Sequence, residues 1–254
     1  MVLTGPGSPD FGDVQKRAYT LCQKLPGKPR QFPITYGLCL YHWGRAEFKI
    51  AHPLAVKLLE TANRIENENA VSSDVTSDEA VMAACNINGM IAFHMGESEQ
   101  AHAYLTRSVD LYQPDRDAAL YPIYLMDFGV FGRFYLALAC VACNKTDMAH
   151  QHARDAYELA QTLNQPHSVG FSLLANMIVA AQCDEPEVAQ QYSQQCVAFS
   201  SQFGFPEFIG MSRVVRGWAA AKLGHPSEGL DDLKEGYTLW AAQDLKTGNR
   251  GLPV

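Results

Sequence analysis

The chain is poor in the features that mark membrane proteins and most enzymes. Its longest apolar run, Tyr135–Cys143 (YLALACVAC), is far shorter than the ~20 residues a helix needs to cross a bilayer. The start, MVLTGPGSPDFGD, has neither the basic nor the apolar segment of a secretory signal. No G-x-x-x-x-G-K-S/T phosphate loop and no G-x-S-x-G elbow occurs. Charged residues make up 19% of the 254, with 20 Lys and Arg against 27 Asp and Glu, a formal charge of −7. That shortage of positive charge disfavours general binding to nucleic acid and gives no attraction to anionic lipid. Seven cysteines, odd in number and without a framework spacing, fit reduced thiols. The expectation is a cytoplasmic protein that takes neither nucleic acid nor membrane as partner.

A repeat is what the sequence does contain. In RGWAAAKLGHPSEGLDDLKEGY, Gly229 anchors a pattern that recurs at Ala189, Ala149, Ala101 and Ala51, with spacings of 40, 40, 48 and 50. Five residues before each anchor stands a small or turn-tolerant residue: Ala46, Gly96, Asn144, Asp184 and Gly224. Eleven before stand Leu40, Met90, Leu138, Ile178 and Trp218, all large; nine before, His42, Ala92, Cys140, Ala180 and Ala220, mostly small. Periodicities of three and four without apolar–polar alternation make both halves of each unit helical. The turns GES, NKT, DEP and HPS have the composition of N-caps for the second helix. Pro166 and Pro206 fit the first turn of a helix, where a missing N–H costs nothing.

The expected fold is all-α: a right-handed α-solenoid of about five stacked helix-turn-helix repeats of tetratricopeptide type. Hairpins are expected at roughly 30–67, 77–112, 128–163, 166–203 and 206–245, in one repeat domain spanning 13–247. Residues 1–12 are expected to be flexible, and 248–254 to begin a further, truncated repeat. Val14–Leu25 has the pattern of a second helix without its first, so both ends are expected to be open.

The last third, FGFPEFIGMSRVVRGWAAAKLGHPSEGLDDLKEGYTLW with TGNRGLPV, carries Gly204, Pro206, Gly210, Arg216, Gly217, Trp218, Gly224, Gly229 and Gly236. Upstream, LYQPDRDAALYPIYLMDFGVFGRFYLALA carries Tyr112, Pro114, Asp115, Arg116, Asp127 and Gly129. Through these residues the chain resembles the tetratricopeptide-like region at the C-terminal end of bacterial signalling proteins. Those proteins carry a signalling ATPase module and often a class III adenylate or guanylate cyclase domain. The resemblance implies a regulatory or scaffolding role and an ATPase or cyclase module, in the same polypeptide or apart, as partner. It transfers no catalysis, because the residues of those domains are absent here.

Other chemistry has weaker support. Cys140 and Cys143 form a C-x-x-C inside an apolar helix, where core packing explains them better than redox or zinc chemistry. His150 and His152 are two apart and diverge on one helix, unlike a metal-binding pair. No catalytic residue, cofactor or metal is expected. The expected binding site is a polar column on the first helix of each repeat, facing a concave groove: Asn88, Arg133, Asn176, Arg213 and Arg216. These would offer amide and guanidinium donors to a protein or peptide. The competing reading pairs the arginines with local carboxylates. A small-molecule sensor using the same groove is the alternative function, and self-association through the open ends is the alternative partner. The long connection at Gln113–Asp127 is expected either to serve as a docking loop or to pack across the array, and its Tyr121, Tyr124 and Asp127 favour packing.

Overall fold

The computed structural model describes residues 5–25, 30–68 and 75–242, and every regular element among them is helical. The chain divides into two compact units at Phe128/Gly129. The first holds α1 (Pro9–Lys24), α2 (Gln31–Gly44), α3 (Phe48–Glu68), α4 (Ser77–Met95) and α5 (Ser98–Leu111). It ends in α6 (Pro114–Asp117), the 3₁₀ turn Ala118–Leu120 and α7 (Tyr121–Tyr124). The second holds α8 (Phe128–Ala142), α9 (Thr146–Leu163), α10 (Pro166–Gln182), α11 (Pro186–Phe203), α12 (Pro206–Lys222) and α13 (Pro226–Ala241). Consecutive helices stack, α1 through α5 in the first unit and α9 through α13 in the second. Val130 of α8 joins Ala156 and Ala160 of α9 in one buried cluster. The fold is an all-α array of helical hairpins of tetratricopeptide type.

All five hairpins turn in the same way. Ala46, Gly96, Asn144, Asp184 and Gly224 lie at φ 57°, 86°, 58°, 59° and 92°, the left-handed region. The next residue sends its N–H back five residues: Glu47 to His42, Glu97 to Ala92, Lys145 to Cys140, Glu185 to Ala180 and His225 to Ala220, at 2.8–2.9 Å. This is a Schellman closure, which satisfies carbonyls at the end of the first helix. Four residues past the turn's carbonyl, each anchor N–H closes the first bond of the second helix, as in Ala51 to Glu47 and Ala101 to Glu97. The expected N-caps are corrected here. Glu97, Lys145, Glu185 and His225 occupy that position and none makes a side-chain cap bond. The turn is too short for a separate cap, because the closure of one helix is already the start of the next. Prolines 166, 186, 206 and 226, twenty apart, all open helices.

Two asparagines tie one repeat to the next. Asn88 Nδ2 donates to the Ala55 carbonyl on α3 and to Ala84 on its own helix, both at 2.8 Å. Asn176 repeats this with Ala153 on α9 at 2.8 Å and Ser172 at 2.9 Å. Both amides are buried, and both acceptors lie four residues past the preceding anchor. At α12/α13 glycine sets the spacing: a Cβ on Gly217 would sit 2.5 Å from the Gly229 carbonyl oxygen, and one on Gly210 2.8 Å from the Trp240 nitrogen.

The connection from Gln113 to Asp127 forms a bracket on unit 1. Arg116 bonds Asp78 at 2.5 Å, Asp117 at 2.7 Å and the Leu111 carbonyl at 2.9 Å. Tyr124 donates to Glu79 at 2.7 Å and meets Tyr36 edge-on, 5.0 Å between ring centres. Buried Asp127 accepts from Tyr112 at 2.8 Å. The N-terminal start of α4 is thereby held to α2. Residues 1–12 are not all irregular, as the sequence had implied: Ser8 accepts from the Phe11 N–H and caps α1, which begins at Pro9. Residues 248–254 lie outside the described residues.

Alanine at a left-handed position carries a penalty of about 1–2 kcal/mol that glycine lacks. Ala46→Gly is therefore expected to raise unfolding stability by about 1 kcal/mol, read as a higher denaturant midpoint at unchanged slope.

Candidate interaction surface

The first helices of the repeats are buried almost all round. Every residue from Ala80 to Ala92 on α4 is buried, as is every one from Ser172 to Ala181 on α10. On α8, Phe128 to Cys140 are buried except Arg133, which is half-exposed. On α12 the half-exposed residues after Gly210 are Arg213, Arg216 and Trp218. Solvent thus reaches the middle of these helices mainly at arginines.

The five expected donors separate into three groups. Asn88 and Asn176 leave the set offered to a partner, since the two N–H groups of each side-chain amide are spent on internal carbonyls and little of either residue reaches solvent. Arg216 forms a two-pronged pair with Asp232, Nε–Oδ2 2.5 Å and Nη2–Oδ1 2.6 Å, which holds its guanidinium charged. Arg213 pairs with Glu235. These two follow the competing reading, binding α12 to α13. Arg133 differs. Its Nη1 donates to the Gly129 carbonyl at 3.1 Å, and no carboxylate pairs with it among the described residues.

Sequence reasoning missed Asn86. It is fully buried on α4, and among the described residues neither its amide nitrogen nor its oxygen meets a hydrogen-bonding partner. The signal was available: the positions fifteen before the other anchors are Tyr36, Phe134, Leu174 and Val214. Unit 2 also contains a continuous aromatic run. Phe131 and Phe134 on α8 meet Phe171 on α10, which meets Phe208 on α12 at 5.0 Å. Phe208 leads through Phe205 to Phe203, which is exposed. His167 sits among Phe171, Phe205 and Phe208, with Glu207 3.7 Å from its Nε2.

The thiols and imidazoles take packing positions. Cys140 is buried, which pushes its thiol up, and Cys143 is half-exposed. Burial pushes Cys85 up to about 11 and Cys39 higher still, so these sulfurs are protonated and poorly nucleophilic at neutral pH. His150 meets Glu185 at 3.2 Å, and buried His94 stacks on Phe48. Among the described residues no three His, Cys, Asp or Glu side chains come together as a metal site.

Asn176→Ala is expected to destabilise the chain by about 1–3 kcal/mol through loss of a buried hydrogen bond, while Asn86→Leu stabilises it by about 1–2 kcal/mol by removing two unsatisfied atoms. Denaturant titration of both variants checks the opposite signs. Thiol labelling of native protein is expected first at Cys143 and Cys183, the two half-exposed cysteines, with the buried five reacting only on unfolding.

No protein-family model matches the chain, and no curated protein does. Solved structures do. BtubC (BKLC) from P. vanneervenii superposes with a TM-score of 0.62 at 13% identity, over 96% of this chain and 92% of that one. A Rap protein complexed with Competence and Sporulation Factor superposes with a TM-score of 0.65 at 14% identity, over 91% of this chain. The chain spans 60% of the Rap protein's length. At these identities the likeness is one of fold, and the fold it identifies is the tetratricopeptide-like helical repeat.

Proposed function

We propose that the chain is a non-catalytic helical-repeat module that binds a protein or peptide partner. The observation that carries this reading is Arg133. A half-buried guanidinium is costly to leave without a counter-charge, yet among the described residues Arg133 meets a main-chain carbonyl and no carboxylate, on a helix whose neighbouring residues are buried. A peptide carboxylate, from a side chain or a chain end, would complete it with a charge-assisted pair. The Rap protein of the same fold is complexed with Competence and Sporulation Factor, which supports a binding role for this architecture. The sequence resemblance extends the proposal: the partner is a signalling ATPase or nucleotide cyclase module, and the array acts by docking differently against it in two states.

The alternative is a small-molecule sensor, favoured by the unpartnered amide of buried Asn86. A thermal-shift screen with carboxylate-bearing peptides beside a panel of metabolites separates the two. Peptides are expected to stabilise the native chain. Arg133→Gln is expected to weaken that binding by about 10- to 100-fold, the equivalent of ~1.5–3 kcal/mol for a charged hydrogen bond, with the ligand-free melting temperature little changed. Stabilisation by metabolites alone, lost in Asn86→Leu, would replace the peptide reading with the sensor. Peptide binding indifferent to Arg133→Gln would move the site elsewhere.

A further inference from the structure

Between Arg154 and Arg213 the chain contains neither lysine nor arginine, while six carboxylates stand in that stretch. Two of these, at the turn between α10 and α11, are met from outside it: Asp184 pairs with Lys222 at 2.6 Å, and Glu185 with His150 at 3.2 Å. Glu207 lies elsewhere, in the first turn of α12. Among the described residues it meets no lysine or arginine. The imidazole of His167 stands 3.7 Å from it, too far for a hydrogen bond.

Aromatic rings adjoin this carboxylate. The His167 ring is 5.5 Å from Phe205, two residues before Glu207. Phe205 is in turn 6.2 Å from Phe203, with the two planes only 13° apart. Gly204 between them is left-handed and closes α11, and the turn sets both rings side by side. Phe199, one turn earlier on α11, meets Phe203 at 4.6 Å. Phe205 is half-buried, but Phe203 is 42% exposed. A phenylalanine ring in water forgoes the gain of burial. Here it does so beside a half-buried carboxylate that no lysine or arginine neutralises.

Rings and carboxylate together select the chemistry of what covers them. An apolar side chain would cover the rings but strip water from Glu207 without replacing it. An acidic one would add like charge. A guanidinium meets both demands: its plane stacks on a ring face, its fork of N–H groups pairs with the carboxylate, and its aliphatic stem lies along the second ring. The absence of lysine and arginine from the surrounding stretch removes internal competitors and leaves the local field negative. We propose that the edge formed by Phe203, Phe205 and Glu207 docks an arginine side chain of a partner protein. The proposal does not draw on Arg133: that residue would take a carboxylate and this edge takes a cation, so each stands or falls alone.

The probe is the peptide Gly-Arg-Leu-Arg-Gly, acetylated and amidated so that it carries no carboxylate. Added to the whole chain with isotope-labelled phenylalanine rings, it is expected to give saturable shifts at the Phe203 and Phe205 resonances. Glu207→Gln and Phe203→Ala, at positions that solvent already reaches, are each expected to weaken binding about fivefold or more, with the melting temperature little changed. Citrulline in place of arginine, nearly the same shape without the charge, is expected to cost at least as much, and lysine about threefold. Arg133→Gln is expected to leave this binding unchanged. Shifts that do not saturate, or binding kept in both Glu207→Gln and Phe203→Ala, would overturn the proposal. Equal binding of the citrulline peptide would show an apolar surface instead, and equal binding of the lysine peptide would overturn the assignment to arginine. Binding lost in Arg133→Gln but kept in Glu207→Gln would place the peptide away from this edge.

Discussion

The structure depends on one constraint, the closure of each hairpin through a single left-handed residue. The six-residue closure fixes where the second helix begins relative to the first, so the same positions meet in each hairpin. The anchor lies against the residue twelve before it: Cys39 Sγ reaches the Ala51 carbonyl at 3.3 Å, and Gly217 touches Gly229. Seven past the anchor meets nineteen before it: Ser108 Oγ donates to the Met82 carbonyl at 3.0 Å, Cys196 approaches the Gly170 carbonyl, Ala156 packs with Val130, and Gly236 with Gly210. At least one partner at each of these crossings is small, because the register leaves no room for two large ones. The asparagine ties then extend the same register from one hairpin to its neighbour.

That register was largely legible in the sequence. The left-handed position, the anchor and the small columns all appear as recurrences at 40 to 50 residues, since each is imposed by backbone geometry that side chains cannot evade. The caps were not legible, because Ser, Thr and Glu after a turn residue look the same whether they cap a new helix or merely follow a closed one. The candidate site was legible only in part. Asn88 and Asn176 present the same polar letter in an apolar helix that a ligand-binding residue would. Only the position of the preceding repeat's Ala55 and Ala153 carbonyls distinguishes a tie from a donor. Asn86 stands out only within its own column, fifteen before the anchor, where its four counterparts are all apolar.

Burial makes these distinctions consequential. A helix enclosed on every side can hold a polar group only if the group is satisfied internally or destabilises the fold. Asn88 and Asn176 take the first course. Arg213 and Arg216 keep some solvent and pair across to α13, where the charges stiffen the contact between two helices. Asn86 does neither, and is the one buried asparagine of α4 whose presence packing does not account for.

Arg133 is best understood against its counterpart in the last hairpin. Arg213 occupies the same column, sixteen before the anchor, and pairs with Glu235, six after it. The residue six after Ala149 is Asp155, so the repeat supplies Arg133 with a carboxylate at the matching position. That carboxylate is turned away: Asp155 Oδ1 accepts from Gln151 Nε2 at 2.6 Å, and Gln151 in turn accepts from Arg154 at 3.0 Å. The acid is thus engaged along its own helix. Among the described residues the guanidinium keeps donors unused while the enclosing helix restricts its hydration, and an anion arriving from outside gains most under those conditions. The last arginine columns of the array are closed by internal carboxylates, whereas no carboxylate among the described residues closes this one.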